Sequence, residues 1–179
     1  MKWYVLQVLT GKETAVRDKL HDAGFQAAVP QEDRLIRKSG KWIQKLYTLF
    51  SGYVFIQLQY CAELYYKILA TPDVYGFLRS NEEPVALTYL ETEYLRQLNN
   101  QGEPIQPAVI RFNENGSIQE INGVMAYFGS RILKYDRHAR RARILVSIGG
   151  AEKEIELSAV TAEDEQEETG DEPEAADTG

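Results

Sequence analysis

The chain has 179 residues, 44% of them apolar, and a single cysteine, Cys61, which allows one medium domain or two small ones and excludes an intramolecular disulfide. A reducing, cytoplasmic setting is expected. No run approaches the ~20 apolar residues that span a bilayer, and Lys12 and Glu13 interrupt the apolar N-terminus where a secretory leader would continue. KWYVLQVL (2–9) carries aromatic and β-branched residues on both faces and predicts a central strand. Thr10-Gly11-Lys12-Glu13 has capping-box spacing, predicting a helix to about Ala23 with Val16, Leu20 and Ala23 on one face and Gly24 as its stop. FQAAVP (25–30) predicts a short strand, and 33–47 a hairpin turning at Ser39-Gly40. SGYVFIQL (51–58) reads as a strand, AELYYKILA (62–70) as a helix and VYGFLR (74–79) as a strand. A second capping box, Thr88 to Glu91, opens a helix with Leu90, Tyr94, Leu95 and Leu98 as its apolar stripe.

The order is βαββαβα with an inserted hairpin, an α+β sandwich over residues 1–99. The Pro/Gly-rich segment 100–108 reads as a linker. Beyond it, short strands at 116–121, 130–135, 141–148 and 151–157, with Gly149-Gly150 as a hairpin turn, predict a small β-barrel over 109–162.

The net charge of -7 is unevenly spread. Residues 163–179 hold nine acids and no Lys or Arg, so 18 acids face 20 bases in the remainder. This tail lacks the apolar residues to fold, and disorder is expected. It reads as a solubilising tail, or as a competitor of nucleic acid for bases elsewhere. Residues 131–143 concentrate six bases against one acid, Asp136. In the strand at 141–148, Ala142, Ile144, Val146 and Ile148 take the core face, which sets Arg141 and Arg143 on the other. Arg137, His138 and Arg140 fall in the preceding turn, and Lys134 on the incoming strand. Guanidinium forks bind phosphate and stack on bases, so the strip suits an RNA hairpin or loop. The plainer reading is a surface that balances neighbouring acids.

Four stretches together resemble the NusG family of transcription elongation factors: KWYVLQVLTGKE at the start, LFSGYVFIQL (49–58), TPDVYGFLRS (71–80) and RILKYDRHARRARILVSIGGAEKEIEL (131–157). The resemblance runs from about Trp3 to Val160. It implies an N-terminal NGN-type domain that binds the clamp helices of RNA polymerase, followed by a KOW-type barrel. It places Phe50, Tyr53 and Phe55 in the polymerase-facing patch, although each aromatic taken alone is as readily core. For the hairpin it implies contact with upstream or non-template DNA, with Arg37, Lys38 and Lys41 as candidates. A charged edge that discourages strand pairing is the simpler alternative.

Two departures stand out. Ser130, or Gly129 with a one-residue shift, occupies the family's glycine position before the strand, and Gly149 replaces the aromatic that follows Val-Ser-Ile. In the general factor this region engages Rho or a ribosomal protein. Its change, with the density of bases at 134–143, points to a specialised branch of operon-targeted antiterminators of the LoaP type. The RfaH type is a more distant likeness. A general factor coupling polymerase to Rho or ribosomes is the alternative, and a stand-alone RNA-binding adaptor a third. A monomer without metal or cofactor is expected. His21, His138 and Cys61 form no catalytic or metal-ligand spacing, so enzymatic activity is not expected.

Overall fold

The computed structural model describes residues 1–169. Among the described residues, thirteen strands and four α-helices follow in chain order, besides 3-10 turns at Asn100–Gly102 and Val124–Arg131: β1 (Lys2–Val8), α1 (Glu13–Asp22), β2 (Gln26–Ala28), β3 (Gln31–Lys38), β4 (Lys41–Thr48), β5 (Tyr53–Leu58), α2 (Ala62–Leu69), β6 (Val74–Phe77), β7 (Arg79–Ser80), β8 (Glu83–Pro84), α3 (Tyr89–Asn99), β9 (Ala108–Phe112), β10 (Ile118–Ile121), β11 (Ile132–Asp136), β12 (Arg141–Ile148), β13 (Ala151–Thr161) and α4 (Ala162–Thr169). The architecture is α+β, as expected. No helix among the described residues is long and apolar enough to cross a membrane.

The N-terminal sheet has the order β2-β5-β1-β6, with antiparallel neighbours. Period-two alternation divides its side chains between two cores. Tyr4, Leu6 and Val8 of β1 join Val54, Ile56 and Leu58 of β5 against Val16 and Leu20 of α1 and Ile68 of α2. Val5 and Phe55 point the other way, toward Tyr94, Leu95 and Leu98 of α3. This second core does not stop at the domain: it continues into Ile144, Val146 and Ile148 of β12 and Ile155 of β13. One sheet thus has its outer face covered by helices and its inner face shared with the C-terminal half.

The C-terminal sheet runs β10-β9-β13-β12-β11, antiparallel except for the β9–β13 pair. β10 and β11 end the sheet without pairing to each other, so the expected barrel is only partly formed. The β3–β4 hairpin turns at Ser39-Gly40, and β12–β13 at Gly149-Gly150, all four residues with positive φ. That is what a two-residue turn matched to strand twist requires.

Several local expectations are corrected. Thr10 does not cap α1: Lys12 stands at the cap position without a side-chain bond. The Glu13 carboxylate accepts from Gly11 N–H (2.9 Å) and Gly52 N–H (2.7 Å), tying the helix start to the turn before β5. Leu90 is exposed, and Glu91 takes the inward position instead. The segment 100–108 is no free tether, because Ile105 is buried and bridges β3, accepting from Asp33 N–H (2.9 Å) and donating to Gln31 C=O (2.8 Å). The tail is helical over Ala162–Thr169, where disorder was expected. Thr161 Oγ1 accepts from Asp164 N–H at 3.1 Å, and the acids of the first turn suit the helix N-terminus. The rest of the tail expectation falls outside the described residues.

Candidate functional site

Phe50, Tyr53 and Phe55 lie together, but beneath the C-terminal sheet. Phe50 and Phe55 are buried, with ring centroids 5.4 Å apart at an edge-to-face angle of 79°. Half-buried Tyr53 carries Lys153 Nζ of β13 4.7 Å above its ring. All three belong to, or pack on, the core shared by the two halves. The expected exposed patch is therefore a covered one.

Polar contacts fix that cover at both edges. At one, Glu91 of α3 closes its capping box through Thr88 N–H (2.9 Å). Its other oxygen accepts from Ser147 Oγ (3.1 Å) and Gly150 N–H (2.8 Å) of the β12–β13 hairpin. Beside it Gly149 meets Leu78: a Cβ at Gly149 would lie 2.4 Å from Leu78 Cδ2. At the opposite edge the β3–β4 hairpin lies along β13. Leu35 N–H donates to Ser158 Oγ (2.9 Å), and Ser158 N–H donates to the buried Glu32 carboxylate (2.9 Å), which also pairs with Arg34. Burial raises the Glu32 pKa above the ordinary carboxylate value, against the lowering influence of Arg34.

Arg37, Lys38 and Lys41 sit at the exposed tip of the hairpin, and none has an acidic partner among the described residues. Arg37 lies over the Trp42 ring at 5.9 Å. The same ring carries Arg140 at 4.4 Å, so the hairpin cations and the basic strip meet across one indole. Trp42 was missed in the sequence reading. Its signal is an aromatic interleaved with bases, the pattern of a stacking platform.

The strip itself is less open than its sequence. Arg141 and Arg143 do share a face, but cross-strand acids face them. Arg143 Nε is 3.5 Å from Glu154 and its Nη2 3.8 Å from Glu156, while Arg141 Nη1 is 3.7 Å from Glu156 and its Nη2 donates to Leu35 C=O (3.1 Å). Arg140, at φ 52°, is buried rather than projecting at the turn. Asp136 accepts from Ala139 N–H (3.0 Å) and shapes the turn. Arg137 and Arg140 reach α4: Arg137 donates twice to Asp164 (2.9 and 3.2 Å), and Arg140 Nη1 donates to Glu168 (2.5 Å). The Arg137 hydrogen bonds hold the Asp164 carboxyl below its ordinary pKa. Lys134 and His138 are exposed. The expectation that Asp136 is the strip's sole acid holds only along the chain; in space Glu154, Glu156, Glu163, Asp164 and Glu168 also surround it.

A family model described as "Transcription termination factor nusG" matches residues 1–96. Similar curated proteins include the transcription termination/antitermination protein NusG of Campylobacter jejuni, 30% identical over 166 residues, with 87% of this chain and 93% of the relative covered. The NusG protein of Helicobacter pylori strain 26695 is 28% identical, covering 88% and 94%, and that of Bacillus subtilis 27% identical, covering 87% and 93%. A solved structure described as "Domain interaction in Thermotoga maritima NusG" is similar at a TM-score of 0.56 and 25% identity, covering 88% of this chain and 93% of that one.

Proposed function

The chain belongs to the NusG family of transcription termination/antitermination factors, and from that premise we propose that it is a specialised, operon-targeted antiterminator of the LoaP type. Phe50, Tyr53 and Phe55 meet the clamp helices of RNA polymerase. Lys134, Arg137, His138, Arg140, Arg141 and Arg143 read a hairpin in the nascent leader RNA. Arg37 and Arg140 flank Trp42 and, with Lys38 and Lys41, extend the cationic surface toward non-template DNA. The factor acts as a cytoplasmic monomer and performs no chemistry of its own. Docking favours the closed clamp over the paused state, which requires tighter binding to the closed clamp.

The observation that carries this reading is the cover over the aromatic patch. A protein whose polymerase-facing side chains are buried at rest binds with its intrinsic affinity reduced by the open fraction. A leader RNA held by the strip offsets that loss by raising effective concentration at the polymerase. Such a factor acts where its RNA is made. A general NusG role is the second reading, favoured by whole-length similarity to relatives that carry that name.

Single-round transcription through a terminator separates the two. Read-through should rise with the factor only when the leader hairpin is intact, and return to the factor-free level when the hairpin is scrambled. Equal read-through on both templates supports the general factor. Tyr53→Ala is the suitable polymerase-face variant, because Phe50 and Phe55 are core and their loss would damage the fold.

A further inference from the structure

We propose that the acidic segment after β13 is an intramolecular counter-ligand of the basic strip, which RNA must displace in order to bind. The proposal rests on the RNA-reading role of that strip and adds its regulation.

The segment is placed for this by its own chemistry. Thr161 Oγ1 caps the start of α4, so the helix leaves β13 in a fixed direction. Asp164 and Glu168 are four residues apart and share one helix face. That spacing matches the two arginines of the β11–β12 turn. Asp164 takes both arms of the Arg137 fork, at 2.9 and 3.2 Å, and Glu163 stands 3.7 Å from the same guanidinium. Glu168 accepts from the edge of the Arg140 guanidinium, whose face lies 4.4 Å over Trp42. A two-armed carboxylate uses the donors that a phosphate oxygen pair uses. One fork cannot serve both. Removing Glu168 from Arg140 also frees the side chain that covers Trp42.

The competition is selective. Both carboxylates remain tethered beside the strip, so a ligand making a single phosphate contact competes poorly, whereas a folded RNA presenting several phosphates at once displaces both. The segment therefore suppresses non-specific binding more than specific binding.

The test uses the full chain with Asp164→Asn/Glu168→Gln and, as a control of equal charge change on the N-terminal half, Glu82→Gln/Glu83→Gln. The probes are a fluorescent oligouridylate and a fluorescent RNA stem-loop, each titrated at two salt concentrations. The tail variant is expected to bind oligouridylate about five-fold more tightly than the unmodified chain at low salt, with a smaller gain for the stem-loop and a gain that shrinks as salt rises. The control variant should lack this gain. In the unmodified chain, added stem-loop should accelerate amide exchange at 162–169. RNA binding of equal strength in all three proteins, or binding that leaves exchange at 162–169 unchanged, overturns the proposal while the RNA reading stands. Absence of binding by every form overturns the RNA reading and this proposal with it.

Discussion

Among the described glycines, Gly149 has the least room for a side chain, and what it abuts is Leu78 of the other half. Its φ of +64° lies where side chains are strained, and any Cβ would press into Leu78. Gly149→Ala should lower stability by roughly 1–3 kcal/mol, and Gly149→Phe by more, because overpacking cannot relax against a buried sheet. Thermal unfolding measures both; an unchanged midpoint would show that the contact is slack. Tyr135 offers a second test at this scale. Its hydroxyl donates to Ala159 C=O at 3.2 Å, and burial together with Asp164 pushes its pKa up to about 12 from 10.0. The folded form holds the proton where the unfolded form has lost it. The Tyr135 contribution is therefore full below pH 10 and lost as pH rises through about 12. Tyr135→Phe should lack that part of the alkaline decline, read from unfolding midpoints across the window.

At the level of elements, α3 is the hinge of the closed arrangement, because one carboxylate both caps the helix and holds the β12–β13 hairpin. Glu91→Ala should cost about 1–3 kcal/mol, since it strips Thr88 N–H, Gly150 N–H and Ser147 Oγ–H of an acceptor while the Thr88 cap itself remains. Denaturant unfolding reads the loss. Glu91→Gln should retain part of it, as the amide oxygen can still accept. This capping box was legible in the sequence; its second use was not, because the partners are 56 and 59 residues away. Thr10 shows the converse. The spacing was right, but Glu13 found Gly52 across the fold and the cap was abandoned. α4 was missed although Thr161 and Asp164 have the same spacing. Its composition offered no apolar stripe, and its support comes from Arg137 and Arg140 rather than from a core. The alternation in β12 fixed which face of the strip is solvent-side. It could not reveal Glu154 and Glu156, which arrive through strand register.

For the molecule as a whole, if polymerase docks on Phe50, Tyr53 and Phe55 as proposed, the shared core makes that docking and domain separation one equilibrium. If the open form were about 1% of the population, apparent affinity would fall roughly 100-fold. Gly149→Phe, which disfavours closure, should then bind polymerase more tightly than the unmodified chain even though it is less stable. A competition pull-down at limiting polymerase decides this: a gain ties the cover to affinity, whereas equal capture shows that closure is too weak to matter.

The parallel pairing of β9 with β13 has a further consequence, which lies in the order of synthesis. The four-stranded N-terminal sheet has all its strands once Phe77 is made, and α3 once Asn99 is made. The cover over its inner face needs β12 and β13, and β9, although it can pair with β10 earlier, gains its parallel partner only when Thr161 has been made. About 60 residues separate these points, roughly 3–12 s of translation. Each new chain therefore passes through a period in which Phe50, Tyr53 and Phe55 lack the cover of β12 and β13. The covered form is the finished product, and the nascent one begins life exposed.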